Sequence, residues 1–329
     1  DSDLARRGMN KAGRHWLRQV GLALLVTRDT RLPVLYREYE GNCHDSRLFA
    51  RLLDEIRTAL GSRGDVTVVV DKGMNSEENM TALDAMPGVH FVTTYSPHFA
   101  EELVHVRRDA FQPVESPKNR RLREAGREDD LLLAWRTTGE FWGRERSVVV
   151  TYNPLTASKQ RYAFERKLLK LQGALYEMRA KVRAQAPQWR DQAAVTRRYE
   201  AVCDELHLPR DLYDLSFSRE NGRPGAMGMG FRKNHYRIGR HIERFGKNII
   251  VTDRADWSTD EIVLANLDRY KVEQAFRQSK DDDLAAVLPL RHWTDGKIRC
   301  HILTCMAALC YLRLIEIHLK RAGLEMSAA

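Results

Sequence analysis

Between Ser258 and Lys280 the chain reads Ser-Thr-Asp-Glu followed by IVLANLDRYKVEQAFRQSK, a stretch that constrains the fold to include a helix packed on a core. Ser258 and Glu261 make a capping box, in which hydroxyl and carboxylate each satisfy a backbone N–H that has no partner inside the helix. Ile262, Val263, Leu264, Leu267, Val272, Ala275 and Phe276 then recur at mostly helical spacing, which predicts one continuous helix. Arg269, Glu273 and Lys280 are spaced so that, at roughly 100° per residue, they fall within about 40° of one another. A carboxylate between two cations suits the joint grip of a metal ion and a phosphate. It equally suits a solvated helix face with ion pairs one turn apart.

A second carboxylate stands in a different setting. Val66 to Val70 (VTVVV) is a β-branched, largely apolar strand ending in Asp71, and Lys72-Gly73 turns out of it. Open α/β sheets gather ligand-binding groups just past the C-terminal ends of buried strands, so Asp71 is a candidate site residue as well as an ordinary turn residue. Upstream, QVGLALLVT (19–27) and LPVLYREY (32–39) flank an Arg-Asp-Thr-Arg turn and predict a β-hairpin. Asp45-Ser46 is placed to cap a helix running to about Leu60.

From Ser96 to Gly246 the texture changes. An Arg-rich polar part (106–130) leads to strand-like LLLAWRTT (131–138) and SVVVTYN (147–153), then to a long charged helix over 157–186 and a second over 191–206. Arg223 to Gly230 lacks the Lys-Ser/Thr of a phosphate-binding loop and reads as a turn. Phe231 to Arg240 interleaves cations with aromatics, which suits either a segment lying along DNA or a solvated edge strand. NIIVTD (248–253) is the last strand, and Ile302 to Ile317 predicts a buried C-terminal helix too short to span a bilayer comfortably.

Lys and Arg outnumber Asp and Glu by 54 to 45, a formal net charge of +9. Such an excess favours a polyanionic partner through counterion release without requiring one. The five cysteines include no CxxC pair and no His at finger spacing, so neither a zinc site nor a disulfide framework is indicated, and the usage fits a reducing cytoplasm. The first residues carry no apolar signal-peptide core.

Asn266, Arg269, Glu273 and Lys280 resemble the Tyr-x2-Arg-x3-Glu-x6-Lys signature on the catalytic helix of bacterial insertion-sequence DDE transposases, with Asn266 in the Tyr position. VEQAFRQSK (272–280), LPLRHWTDGKIR (288–299), QVGLALLV (19–26), the Gly-Asn-Cys-His-Asp loop (41–45), VVVDKGMNSEEN (68–79) and TDRADW (252–257) are similar to segments of the same group. The resemblance implies an α/β fold: a ribonuclease-H-like mixed sheet flanked by helices and interrupted by a large, partly β insertion. Residues 1–95 and 247–329 would form the catalytic core and 96–246 the insertion. It implies that Asp71 and Glu273 are the second and third acids of a DDE triad, holding two Mg²⁺ or Mn²⁺ ions for cutting and rejoining DNA at insertion-sequence ends.

In the same resemblance Arg269 and Lys280 hold phosphates, with Arg277, Lys72 and Asn266 as further DNA contacts; Asn reaches less far than the family's Tyr. A homodimer on DNA in the bacterial cytoplasm, without a membrane, is also implied. The first acid of such a triad lies on a strand ahead of the hairpin. No such strand precedes Gln19, and neither Asp1 nor Asp3, both in a polar segment, is nominated. The expectation is therefore an N-terminally incomplete core, inactive as it stands; the rival is a non-catalytic DNA-binding or regulatory remnant. A nuclease on the same fold would share the metals and differ in substrate. Trp135, Trp142 and Trp257 are expected in the core.

Overall fold

The computed structural model describes residues 2–8, 13, 16–43, 45–60, 65–98, 100–219, 227–281, 283–324 and 326. In chain order the elements begin β1 (Arg6–Arg7), β2 (Arg18–Val26), β3 (Pro33–Glu40), α1 (Asp45–Leu60), β4 (Val66–Val70), α2 (Glu77–Asp84) and β5 (Val89–Tyr95). There follow α3 (Glu101–Val104), β6 (Gln112–Pro113), α4 (Pro117–Glu124), β7 (Leu133–Phe141), β8 (Arg144–Tyr152), α5 (Pro154–Arg183) and α6 (Gln192–Leu206). The last are β9 (Tyr213–Arg219), β10 (Met227–Lys233), α7 (His235–Ile242), β11 (Lys247–Thr252), α8 (Thr259–Leu267), α9 (Tyr270–Ser279) and α10 (Asp295–Arg321).

The chain divides into two compact units. Asp1–Tyr95, Arg136–Val149 and Ile250–Ala329 form the first; Ser96–Trp135 and Val150–Ile249 form the second. Residues 136–149, the inner parts of β7 and β8 with the turn that joins them, fall in the first unit, whereas the insertion expected from the sequence, 96–246, includes them. A six-stranded sheet runs in the order β4-β5-β11-β8-β7-β6. It is mixed, with β4 parallel to β5 and β6 antiparallel to β7. Such a sheet with helices is compatible with the ribonuclease-H-like core expected. The β2–β3 hairpin, however, forms a separate three-stranded sheet with β1.

In the first unit the hairpin's period-2 pattern sends alternate residues to opposite sides. Val20, Leu22, Leu24 and Tyr36 join Ile298, Ile302, Cys305 and Met306 of α10. Ala23, Leu25, Leu35 and Tyr39 meet Leu48, Leu52 and Ile56 of α1. The adjacent stripe of α1, Phe49 and Leu53, packs with Val68, Val70 and Phe91 of the mixed sheet and with Met80 and Leu83 of α2. One amphipathic helix thus serves both sheets. The C-terminal helix is longer than expected, and only one stripe is buried, so Leu303, Tyr311, Leu314 and Ile315 remain exposed. Among the described residues it is the one helix long and apolar enough to cross a membrane by length and composition.

The second unit packs α5 and α6 on the antiparallel β9–β10 hairpin, through Leu171, Leu175, Val182, Val195, Cys203 and Met229. Met227 to Gly230, expected in a turn, belong to β10, while Arg223 to Ala226 lie outside the described residues. The expected strand over 231–240 stops at Lys233, because the Asn234 side chain accepts a hydrogen bond from the Arg237 N–H and starts α7.

The strand that ends at Asp71 is anchored at its other end. Asp65 accepts both terminal guanidinium nitrogens of Arg254, at 2.9 and 2.8 Å, and lies 2.9 Å from His90 Nε2. Asp253 accepts from the Phe91 N–H at 2.8 Å and lies 2.7 Å from His90 Nδ1. The Arg254 guanidinium holds the Asp65 carboxyl below its ordinary range. A depressed folded pKa stabilises the fold above the unfolded carboxylate value, about 3.9, and that stabilisation is lost as pH falls through the lower folded value. Asp65→Asn is expected to lower the urea midpoint at pH 7 and to flatten its fall between about pH 4 and pH 2; an acid profile parallel to the parent's would contradict this role.

Candidate active site

Because β4 and β5 are parallel and Val70 stands opposite Thr93, Asp71 and Thr94 arrive at the same edge of the sheet. Asp71 is extended (φ −76°, ψ 154°) and its carbonyl accepts from the Met74 N–H at 2.9 Å, closing a short 3₁₀ turn over Lys72–Met74. The turn is fixed from behind: the Asn75 amide donates to the Thr94 carbonyl (2.8 Å) and the Asn79 amide to the Met74 carbonyl (2.9 Å). The Asp71 side chain is left 63% exposed, and Lys72 beside it is exposed as well.

The single helix expected over 258–280 is two helices. The capping box is present, with the Ser258 hydroxyl accepting from the Glu261 N–H (3.2 Å) and the Glu261 carboxylate accepting from the Ser258 N–H (2.7 Å). The Ser258 N–H and hydroxyl, both close to the Glu261 carboxylate (2.7 and 2.8 Å), hold that carboxyl below its ordinary range. α8 nevertheless stops at Leu267. Asp268 and Arg269 keep right-handed dihedrals, yet the backbone bonds shorten by one residue: Arg269 N–H to Asn266 C=O, Lys271 to Asp268 and Val272 to Arg269. This 3₁₀ tightening makes an elbow. Asn266 and Asp268 are both weak helix-interior residues, and they bracket the place where regular helix ends.

Arg269 sits in the elbow and reaches the sheet edge. Its Nη1 donates to Asp71 Oδ1 at 3.2 Å and to Thr94 Oγ1 at 3.0 Å. Glu273 follows one turn on, exposed, and has no hydrogen-bond or ion-pair partner among the described residues. It lies in the first turn of α9, where the helix dipole favours a carboxylate. Arg277 is exposed in the last turn, and the exposed Lys280 caps the end, bordering a cavity of about 140 Å³ lined by Leu22, Phe276, Leu288 and Ile302.

Asn266, expected against DNA, is instead buried at 8% exposure, and its side-chain oxygen has no hydrogen-bond partner among the described residues. Of the tryptophans, Trp142 packs edge-on against Phe91 and Tyr95, and the Trp257 ring lies beneath the Arg254 guanidinium at 5.0 Å. Thr94 went unnoticed in the sequence. The available signal was a hydroxyl pair, Thr93-Thr94, closing an otherwise apolar strand that could lie parallel to VTVVV.

The oxygen groups that Arg269 touches at this edge are the Asp71 carboxylate and the Thr94 hydroxyl, and Glu273 adds a carboxylate one turn further along the same helix. Oxygen donors fit a hard divalent cation, which can be held by one or two carboxylates with water completing its shell. Among the described residues no three His, Cys, Asp or Glu side chains gather into a metal-holding group. A family model described as the transposase DDE domain matches residues 2–311. A search of curated proteins finds no match.

The elbow depends on a well-started α8. Ser258→Ala removes the cap and is expected to destabilise the protein by about 1 kcal/mol in urea unfolding. Unchanged stability would show that the capping box contributes nothing to α8.

Proposed function

The chain belongs to the transposase DDE domain family, and we propose that it acts on DNA at the ends of a bacterial insertion sequence, with Asp71 and Glu273 as two of its acids. The observation that carries this reading is the bond from Arg269 to Asp71 and Thr94, which ties the helix-borne signature to the strand-end acid. Asp71 and Glu273 would hold divalent metal. When bound, Mg²⁺ or Mn²⁺ supplies Lewis-acid stabilisation of the phosphate oxygens and a more acidic attacking water or hydroxyl.

The chain's own side chains provide the rest. Arg269 offers a planar fork to a phosphate once DNA competes with Asp71 for it, and Lys280, Arg277 and Lys72 are exposed point or fork charges for the neighbouring backbone. Asn266, being buried, would contribute through the elbow unless the helix moves. Pairing two transposon ends calls for two protomers on DNA.

The second reading, a DNA-binding remnant without cleavage, is favoured by the lack of a third acid joining the pair among the described residues. A plasmid carrying the flanks of the gene, with Mg²⁺, separates the two. Strand cleavage by the parent, falling at least about 100-fold in Asp71→Asn and in Glu273→Gln while gel-shift affinity for the flanks is kept, supports the enzyme. Binding of the flanks with no cleavage supports the remnant. Cleavage that survives both substitutions refutes the acid assignments.

A further inference from the structure

We propose that Arg31, in the turn joining β2 and β3, is a positioning residue that sets how α9 presents Glu273 to the Asp71 edge. The inference rests on reading those two carboxylates as metal-holding acids.

The turn is rigid. The Thr27 N–H donates to Leu32 C=O and the Arg31 N–H to Thr27 C=O, both at 3.0 Å, while the Thr27 hydroxyl accepts from the Leu32 N–H at 3.0 Å and lies 2.6 Å from the Thr30 hydroxyl. Arg31 is held at φ +58°, a left-handed conformation uncommon for a residue with a Cβ. Backbone strain of this kind persists where surrounding contacts over-determine it.

From that position Arg31 reaches the helix that bears Glu273. Nη1 donates to Gln274 Oε1 at 2.8 Å and Nη2 to Glu316 at 3.2 Å. Glu316 also pairs with Arg313, which is fully buried in α10. Arg28, at the other end of the turn, donates Nε to Asp268 at 2.6 Å, and Lys271 Nζ donates to the Arg28 carbonyl at 2.9 Å.

The turn therefore grips Asp268, Lys271 and Gln274, a stripe with three-residue spacing that starts in the elbow. Arg269 and Glu273 occupy the neighbouring stripe. Rolling α9 about its axis, or straightening the elbow, would break these bonds, so the grip restrains the direction of the Glu273 side chain. Packing of α9 on β2 secures the fold independently of it. Metal sites are sensitive to such supporting contacts, whose loss costs about 10–100-fold in affinity.

Mn²⁺ titration followed by electron paramagnetic resonance, with thermal melting alongside, tests this. Arg31→Gly is the informative variant, since glycine adopts the left-handed turn freely and only the side-chain contacts are lost. It should melt close to the parent while binding Mn²⁺ about 10-fold more weakly. Arg31→Lys should fall between them, and Gln274→Met, which removes the acceptor on α9, should reproduce the loss if Arg31→Gly fails to fold. Asp71→Asn and Glu273→Gln should abolish binding. Parent-like affinity in Arg31→Gly or, where that variant does not fold, in Gln274→Met overturns the positioning role while leaving the acids in place. Mn²⁺ binding that ignores both carboxylate changes, or is absent from the parent, overturns the acid reading and the inference with it.

Discussion

The contact on which this site depends is one guanidinium laid against a strand end. Arg269 touches Asp71 and Thr94 from an elbow between two helices, and its partners lie 198 and 175 residues earlier in the chain. A partly exposed ion pair of this kind contributes little to stability, on the order of 0–1 kcal/mol. Its value lies in placement. It fixes where the helix meets the parallel strand ends, the edge at which α/β sheets collect ligand-binding groups, and it leaves the Asp71 side chain open to solvent.

The surroundings then have a common purpose. β4 is tied at its start by Arg254 on Asp65, so its far end is presented from a fixed strand. α8 is started by its capping box and ends in a 3₁₀ turn. The β2–β3 turn meets the elbow from the other side, and the buried Arg313 with Glu316 joins the C-terminal helix to the same group. Burying a charge such as Arg313 is costly unless it is paired, and Glu316 is the group that both Arg313 and Arg31 require.

Much of this was legible in the sequence wherever apolar periodicity speaks alone. The hairpin, the VTVVV strand and the NIIVT strand all follow from runs or alternation of apolar side chains. The elbow was not legible, because Ile262 to Phe276 keep a helical apolar spacing through it; the interruption comes from Asn266 and Asp268, whose weak propensity looks unremarkable one residue at a time. Thr94 was hidden by being a good strand residue. Arg28 and Arg31 read as turn cations, since their partners Asp268 and Gln274 are 240 and 243 residues away, and only the fold brings them together. The signature position of Asn266 carries no information about its burial, which only the packing of α8 reveals.

Whether Asp71 and Glu273 share a metal ion is tested most directly by a crystal structure grown or soaked with Mn²⁺, with data collected at the manganese absorption edge. An anomalous peak coordinated by the carboxylates of both Asp71 and Glu273, with Arg269 beside it, is the expected result. Manganese bound elsewhere, or Asp71 and Glu273 too far apart to share an ion, would contradict it.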